Sequence, residues 1–103
     1  MSGCGGAPPT VDLLASTQGA VRGAEEAGAQ DDPQAALHLK LAKEQVAAAK
    51  VLMDDGDDEE AHLKLLRAEA DAELAHALAE KAATVSKAAE AMEDLDKLKK
   101  QGK

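Results

Sequence analysis

Not one aromatic side chain occurs in this chain, and isoleucine is missing as well. Ligand pockets are normally walled by aromatic and branched apolar groups, and single-stranded nucleic acid is read largely by stacking on aromatic faces. Neither activity has its usual material here. Cysteine occurs once, at position 4, so an internal disulfide is excluded and a thiolate zinc site has no second sulfur. Glycine and proline are absent from 58 to 101, so nothing local interrupts a helix there. Basic charge is short in the first sixty residues, which carry 4 Lys/Arg against 12 Asp/Glu; residues 61–103 balance at 8 and 8. An acidic half repels phosphate backbones and anionic lipid, so no nucleic-acid partner is expected.

What is there is alanine and leucine: 24 Ala and 13 Leu among 103 residues. Alanine has the best helix propensity but only a methyl group to bury. Such a chain makes helices in close contact along thin seams, without a thick core. The expected fold is all-α: an antiparallel helical hairpin or three-helix bundle with a long C-terminal helix and coiled-coil-like packing. An enzyme is not expected, nor is a cofactor.

Punctuation divides the chain into a tether over 1–9, a helical domain over 10–100 and a short tail over 101–103. Thr10 reads as an N-cap, and Val11, Leu14, Gln18 and Val21 recur at helical spacing towards Gly28, predicting a helix over about 10–28. Asp32-Pro33 reads as N-cap and first helical residue of a second helix, about 33–54. There Ala35, Leu39, Ala42, Val46, Ala49 and Met53 step alternately by four and three, a heptad seam, widened by Leu37, Leu41, Ala48 and Leu52. Gly56 is the stop. Asp57 and Glu60 match a capping box opening a third helix, about 57–100. Ala61, Leu65, Ala68, Ala72, Ala75, Ala79 and Ala82 continue the seam, which then shifts to Val85, Ala88, Met92 and Leu95. A helix of that length reaches about 65 Å, and the second helix covers only half of it. The remainder either overhangs or breaks near Ala83–Ser86 and folds back. An apolar overhang favours a homodimer over a monomer.

The opening "MSGCGGAPPT" raises a separate question. "SGC" followed by small residues resembles the end of a bacterial lipobox, with Met1 in the place usually held by Leu. In exported lipoproteins the signal peptide is cut before the cysteine, which takes the lipid. The resemblance implies lipidation at Cys4, a Gly/Pro tether behind it, and a chain that begins near the cleavage site without its signal peptide.

The body carries a second resemblance. Pro33, the Gly56-Asp57 turn, Ala61 and the run Asp71-Ala72-Glu73-Leu74-Ala75, after "GAEEAGA", resemble the bacterial envelope family known as domain of unknown function 4398, over roughly residues 10–83. The resemblance implies a periplasmic, membrane-anchored lipoprotein, most readily at the outer membrane, with protein partners in the cell envelope. Some members carry an OmpA-type peptidoglycan-binding domain, for which this chain has no room. No catalytic residues are known for the family, and none are carried over.

Four further patterns each have a structural reading beside the functional one. Glu59-x-x-His62 and Glu73-x-x-His76 match the ligand motif of di-iron bundles, but both fall on one helix about 21 Å apart, where the motif needs facing helices. The acidic run around Gly56 would place Val51 and Met53 at calcium-ligand positions of an EF-hand. A tetratricopeptide-like hairpin is suggested by the "GD" turn, yet the aromatic positions of that repeat are empty. The final Lys103 resembles the wall-linked lysine of small lipoproteins, and equally suits the C-terminal end of a helix dipole. The reading is a structural spacer or adaptor lipoprotein; the alternative is a soluble tetratricopeptide-like binding or self-assembly module with an incidental cysteine.

Overall fold

The computed structural model describes residues 9–102; Cys4, the rest of the tether before Pro9, and Lys103 lie outside the described residues. The fold is all-α: α1 (Thr10–Glu26), a 3₁₀ turn at Ala29–Asp31, α2 (Pro33–Asp54) and α3 (Asp58–Gln101). The helix starts and stops follow from particular backbone groups. Pro9, not Thr10, is the N-cap of α1, and it offers no side-chain bond. The Asp32 carboxylate accepts the Ala35 N–H at 3.0 Å, and Pro33 occupies the first turn of α2, where its missing donor leaves no bond unmade. Gly28 and Gly56 follow α1 and α2 with φ of 90° and 82°, the left-handed conformation that glycine adopts without a Cβ penalty. At Gly56 the arrangement is a full Schellman motif. Asp57 N–H donates to the Leu52 carbonyl at 2.8 Å and Gly56 N–H to Met53 at 3.0 Å.

The capping box expected at Asp57 and Glu60 does not form. Asp57 holds the N-cap position of α3, but its side chain makes no capping bond, and Glu60 is exposed. Three carboxylates in the first turn, Asp58, Glu59 and Glu60, still oppose the positive end of the helix.

α1 and α2 both pack principally on α3 and touch each other less. α2 runs antiparallel to α3 through the Gly56 turn. α1 runs parallel to α3: Thr10 stands near Asp58–Leu63, while Ala27 and Gly28 stand near Ala79–Ser86. The core is a line of small groups. Ala35, Leu39, Ala42, Val46 and Ala49 of α2 meet Ala61, Leu65, Ala68, Ala72, Ala75 and Ala79 of α3 in one buried cluster. Met53, at the end of the α2 seam, is only partly buried, and Leu37 on the adjacent line is exposed.

The buried face of α1 differs from the expected one. Of the expected line only Val21 points inwards, together with Leu13, Thr17 and Ala24; Val11 is 61% exposed, and Leu14 and Gln18 flank the contact. On a helix this rich in alanine, glycine and small polar groups, two neighbouring faces are about equally apolar. Contact with α3 selects between them.

α3 does not break at Ala83–Ser86. It continues as a single helix of 44 residues, and the Cα envelope measures 76 × 27 × 14 Å. Its apolar stripe changes side, however. The core phase, continued beyond Ala79, runs through Ala82, Ser86, Ala89, Glu93 and Asp96, a line that turns polar. Val85, Ala88, Met92 and Leu95 lie roughly on the opposite side at ~100° per residue, and all four are exposed. The overhang therefore offers the α1–α2 layer nothing to bury, which explains why the bundle ends near Ala82.

Candidate functional site

The sequence-predicted residues fall into two groups. The packing positions Leu39, Val46, Leu65, Ala72 and Ala79 meet in the core with Met53 at its margin; the cap and turn positions Asp32, Pro33, Gly56, Asp57 and Glu60 lie at the ends of α2 and α3. Neither group forms a chemical centre. Each shapes the rod.

The histidines separate similarly. His76 Nε2 lies 3.1 Å from Glu80 one turn along α3, and His62 belongs to the rim beside Asp58–Glu60. His62 and His76 stand on one helix with their acidic neighbours, and among the described residues no three His, Cys, Asp or Glu side chains gather at metal-binding distance. The acidic run about Gly56 is an exposed turn.

A polar cluster that sequence reasoning missed ties α2 to α3. Asp71 of α3 receives two bonds from α2: His38 Nδ1 lies 2.9 Å from Oδ1, and Gln45 Nε2 donates to Oδ2 at 2.8 Å. An ionised carboxylate only accepts, so Nδ1 of His38 carries the proton in this contact. Gln45 Nε2 also donates to the Leu41 carbonyl at 3.2 Å, which settles its amide orientation, since both partners are acceptors. Its Oε1 is buried without a partner. The signal in the sequence was positional: His38, Gln45 and Asp71 each precede a seam residue, Leu39, Val46 and Ala72, and so occupy the seam's edge. Lys43 and Glu25 form a comparable but more exposed ion pair between α2 and α1. These bonds join the helices along the edges of the apolar seam.

The concavities are shallow grooves between helices. One, of about 290 Å³, lies between α1 and α2 and is lined by Gln18, Val21, Arg22, Lys43 and Val46. A wider one, of about 540 Å³, lies at the acidic start of α3 beside Thr10. Both open directly to solvent. No described helix is long and apolar enough to cross a membrane.

The larger exposed feature is the outer side of α3. Leu63, Leu66 and Leu74 there are 57%, 46% and 42% exposed, and further along the helix Leu95 and Leu98 are 54% and 64% exposed. What this molecule presents to its surroundings is therefore a long helix with an apolar side, standing on a short, narrow bundle. A family model described as a domain of unknown function, DUF4398, matches residues 12–92. No curated protein and no solved structure matches the chain.

Proposed function

The chain belongs to the DUF4398 family, and from that premise we propose that it is a non-enzymatic lipoprotein of the bacterial cell envelope, a spacer or adaptor held to the membrane through a lipid on Cys4. The observation that carries the proposal is the pairing of a lone cysteine in "SGCGGAPP" with a rod-shaped domain 76 Å in its longest dimension. A lipid at Cys4 gives the rod an anchor. The exposed side of α3 gives a surface for protein partners on the periplasmic side. Recognition of an amphipathic helix by a partner helix or groove is a general binding mode, and alanine on the contact face permits close approach.

The test is metabolic labelling of the full-length gene product in a bacterial host with radioactive palmitate. Incorporation that disappears in Cys4→Ser supports the anchor. Equal label in both proteins, or none in either, refutes it and leaves the soluble binding module as the reading.

A further inference from the structure

We propose that the outer side of α3 is a self-pairing seam on which a second copy of this chain lies antiparallel. The inference does not depend on the lipid anchor, since it concerns only α3.

Three observations carry it. The first is continuity. Steps of four and three run without interruption from Leu63 to Leu98 along the side of α3 that faces away from α1 and α2. Every position on that line is exposed, and all are Leu, Ala or Thr except Arg67 and Lys81. A heptad line of this length on a solvated helix face is the pattern of a coiled-coil seam. It spans about 54 Å, roughly ten turns of helix, and passes from the bundle into the overhang at the point where the core line turns polar.

The second is charge. The first turn of α3 carries Asp58, Glu59 and Glu60, and the last carries Lys99 and Lys100. An antiparallel partner sets its basic end beside this acidic start, twice by symmetry. A parallel partner stacks acid on acid and base on base. It also sets Arg67 against Arg67 inside the seam, an arrangement that like-charge repulsion disfavours.

The third is steric fit. In the antiparallel register that brings Lys99 level with Glu59, Leu63 meets Leu95, Arg67 meets Ala91, Ala70 meets Ala88, Leu74 meets Thr84 and Ala77 meets Lys81. Leucine meets leucine near the ends, and each long side chain of the inner layers faces alanine or threonine, so the two helices approach closely. The isologous contact closes on itself and makes a dimer rather than a filament.

The experiment uses the full chain under reducing conditions, with mass read by sedimentation equilibrium. The expected result is twice the 10.6 kDa chain mass. Ala88→Glu and Leu95→Glu together are expected to return the mass to one chain, with circular dichroism unchanged because neither residue touches the bundle core. A wild-type monomer at about 1 mM overturns the proposal, whether or not the protein binds another partner. So does a dimer that persists in the double variant. Orientation is read in a Cys4→Ser background by oxidation. Leu63→Cys with Leu95→Cys is expected to crosslink and each single variant to remain uncrosslinked; crosslinking of Leu63→Cys alone indicates a parallel pair and overturns the antiparallel assignment.

Discussion

Replacing Leu65 with alanine tests the claim that this bundle is held by a thin core with no slack. Leu65 is fully buried, the largest such side chain among the described residues together with Thr17. Asp71 bonds to both His38 and Gln45, so the antiparallel register puts Val46 and Ala49 on either side of the level of Leu65. Its neighbours along α3 are Ala61, Ala68 and Ala72, all fully buried. Truncation removes three carbons, worth about 2.4 kcal/mol at ~0.8 kcal/mol each. The cavity adds to this. Alanines have no rotamers with which to refill the space, and their Cβ atoms already limit how far the helices can close. The expected loss is about 3–4 kcal/mol, within the range for buried leucines. A chain of this length has about 5–15 kcal/mol in total, so the fall in midpoint is large, about 15 °C or more. With no aromatic side chain the assay is circular dichroism at 222 nm through a urea titration, taking the midpoint at constant m-value. Met92→Ala is the control: it is 72% exposed on the overhang, off the line from Leu63 to Leu98, and is expected to leave stability within about 0.5 kcal/mol. A loss below about 1 kcal/mol for Leu65→Ala would refute the packing argument, because the site would then have to collapse or admit water freely.

The remaining predictions use the same titration. Thr17→Val is expected to stabilise by about 1 kcal/mol, since the hydroxyl is buried with no partner; a loss of stability would mean that the hydroxyl is satisfied in solution. Gly23→Ala should gain about 0.5–1 kcal/mol, its new Cβ meeting His76 at an ordinary 3.5 Å, whereas Gly56→Ala should cost about 1–2 kcal/mol for its left-handed backbone. Equal effects at the two glycines would contradict the turn geometry. Asp32→Ala should cost about 1 kcal/mol and Asp57→Ala less than about 0.5 kcal/mol, because only Asp32 makes a capping bond. A double-mutant cycle on His38→Ala and Asp71→Ala should return a coupling of about 1 kcal/mol; additivity would show that the 2.9 Å contact does not persist in solution.

Much of the architecture was legible because its signals are local. The helical class, the seams of α2 and of α3 up to Ala79, the start at Asp32-Pro33 and the stop at Gly56 all rest on backbone chemistry or on spacing within one helix. Periodicity was weaker wherever two faces of a helix competed. On α1 the expected line of Val11, Leu14, Gln18 and Val21 kept only Val21 in the core, beside Leu13, Thr17 and Ala24, because the two faces, one carrying an amide and the other a hydroxyl, are about equally apolar. The capping box at Asp57 failed for a related reason: the Schellman turn at Gly56 already sets the chain's path into α3, and the carboxylate is left to face water.

The sequence by itself determined that this protein is helical, where its helices turn, and that it lacks the bulk to wall a deep pocket, because propensity, capping and side-chain volume are properties of residues and their near neighbours. Tertiary structure alone decided which face of α1 is buried, that His38 and Gln45 converge on Asp71, and that α3 runs past its partners instead of folding back at Ala83–Ser86. Those outcomes depend on which surfaces meet across separations of tens of residues, and a pattern read along one helix contains no information about the helix it will touch.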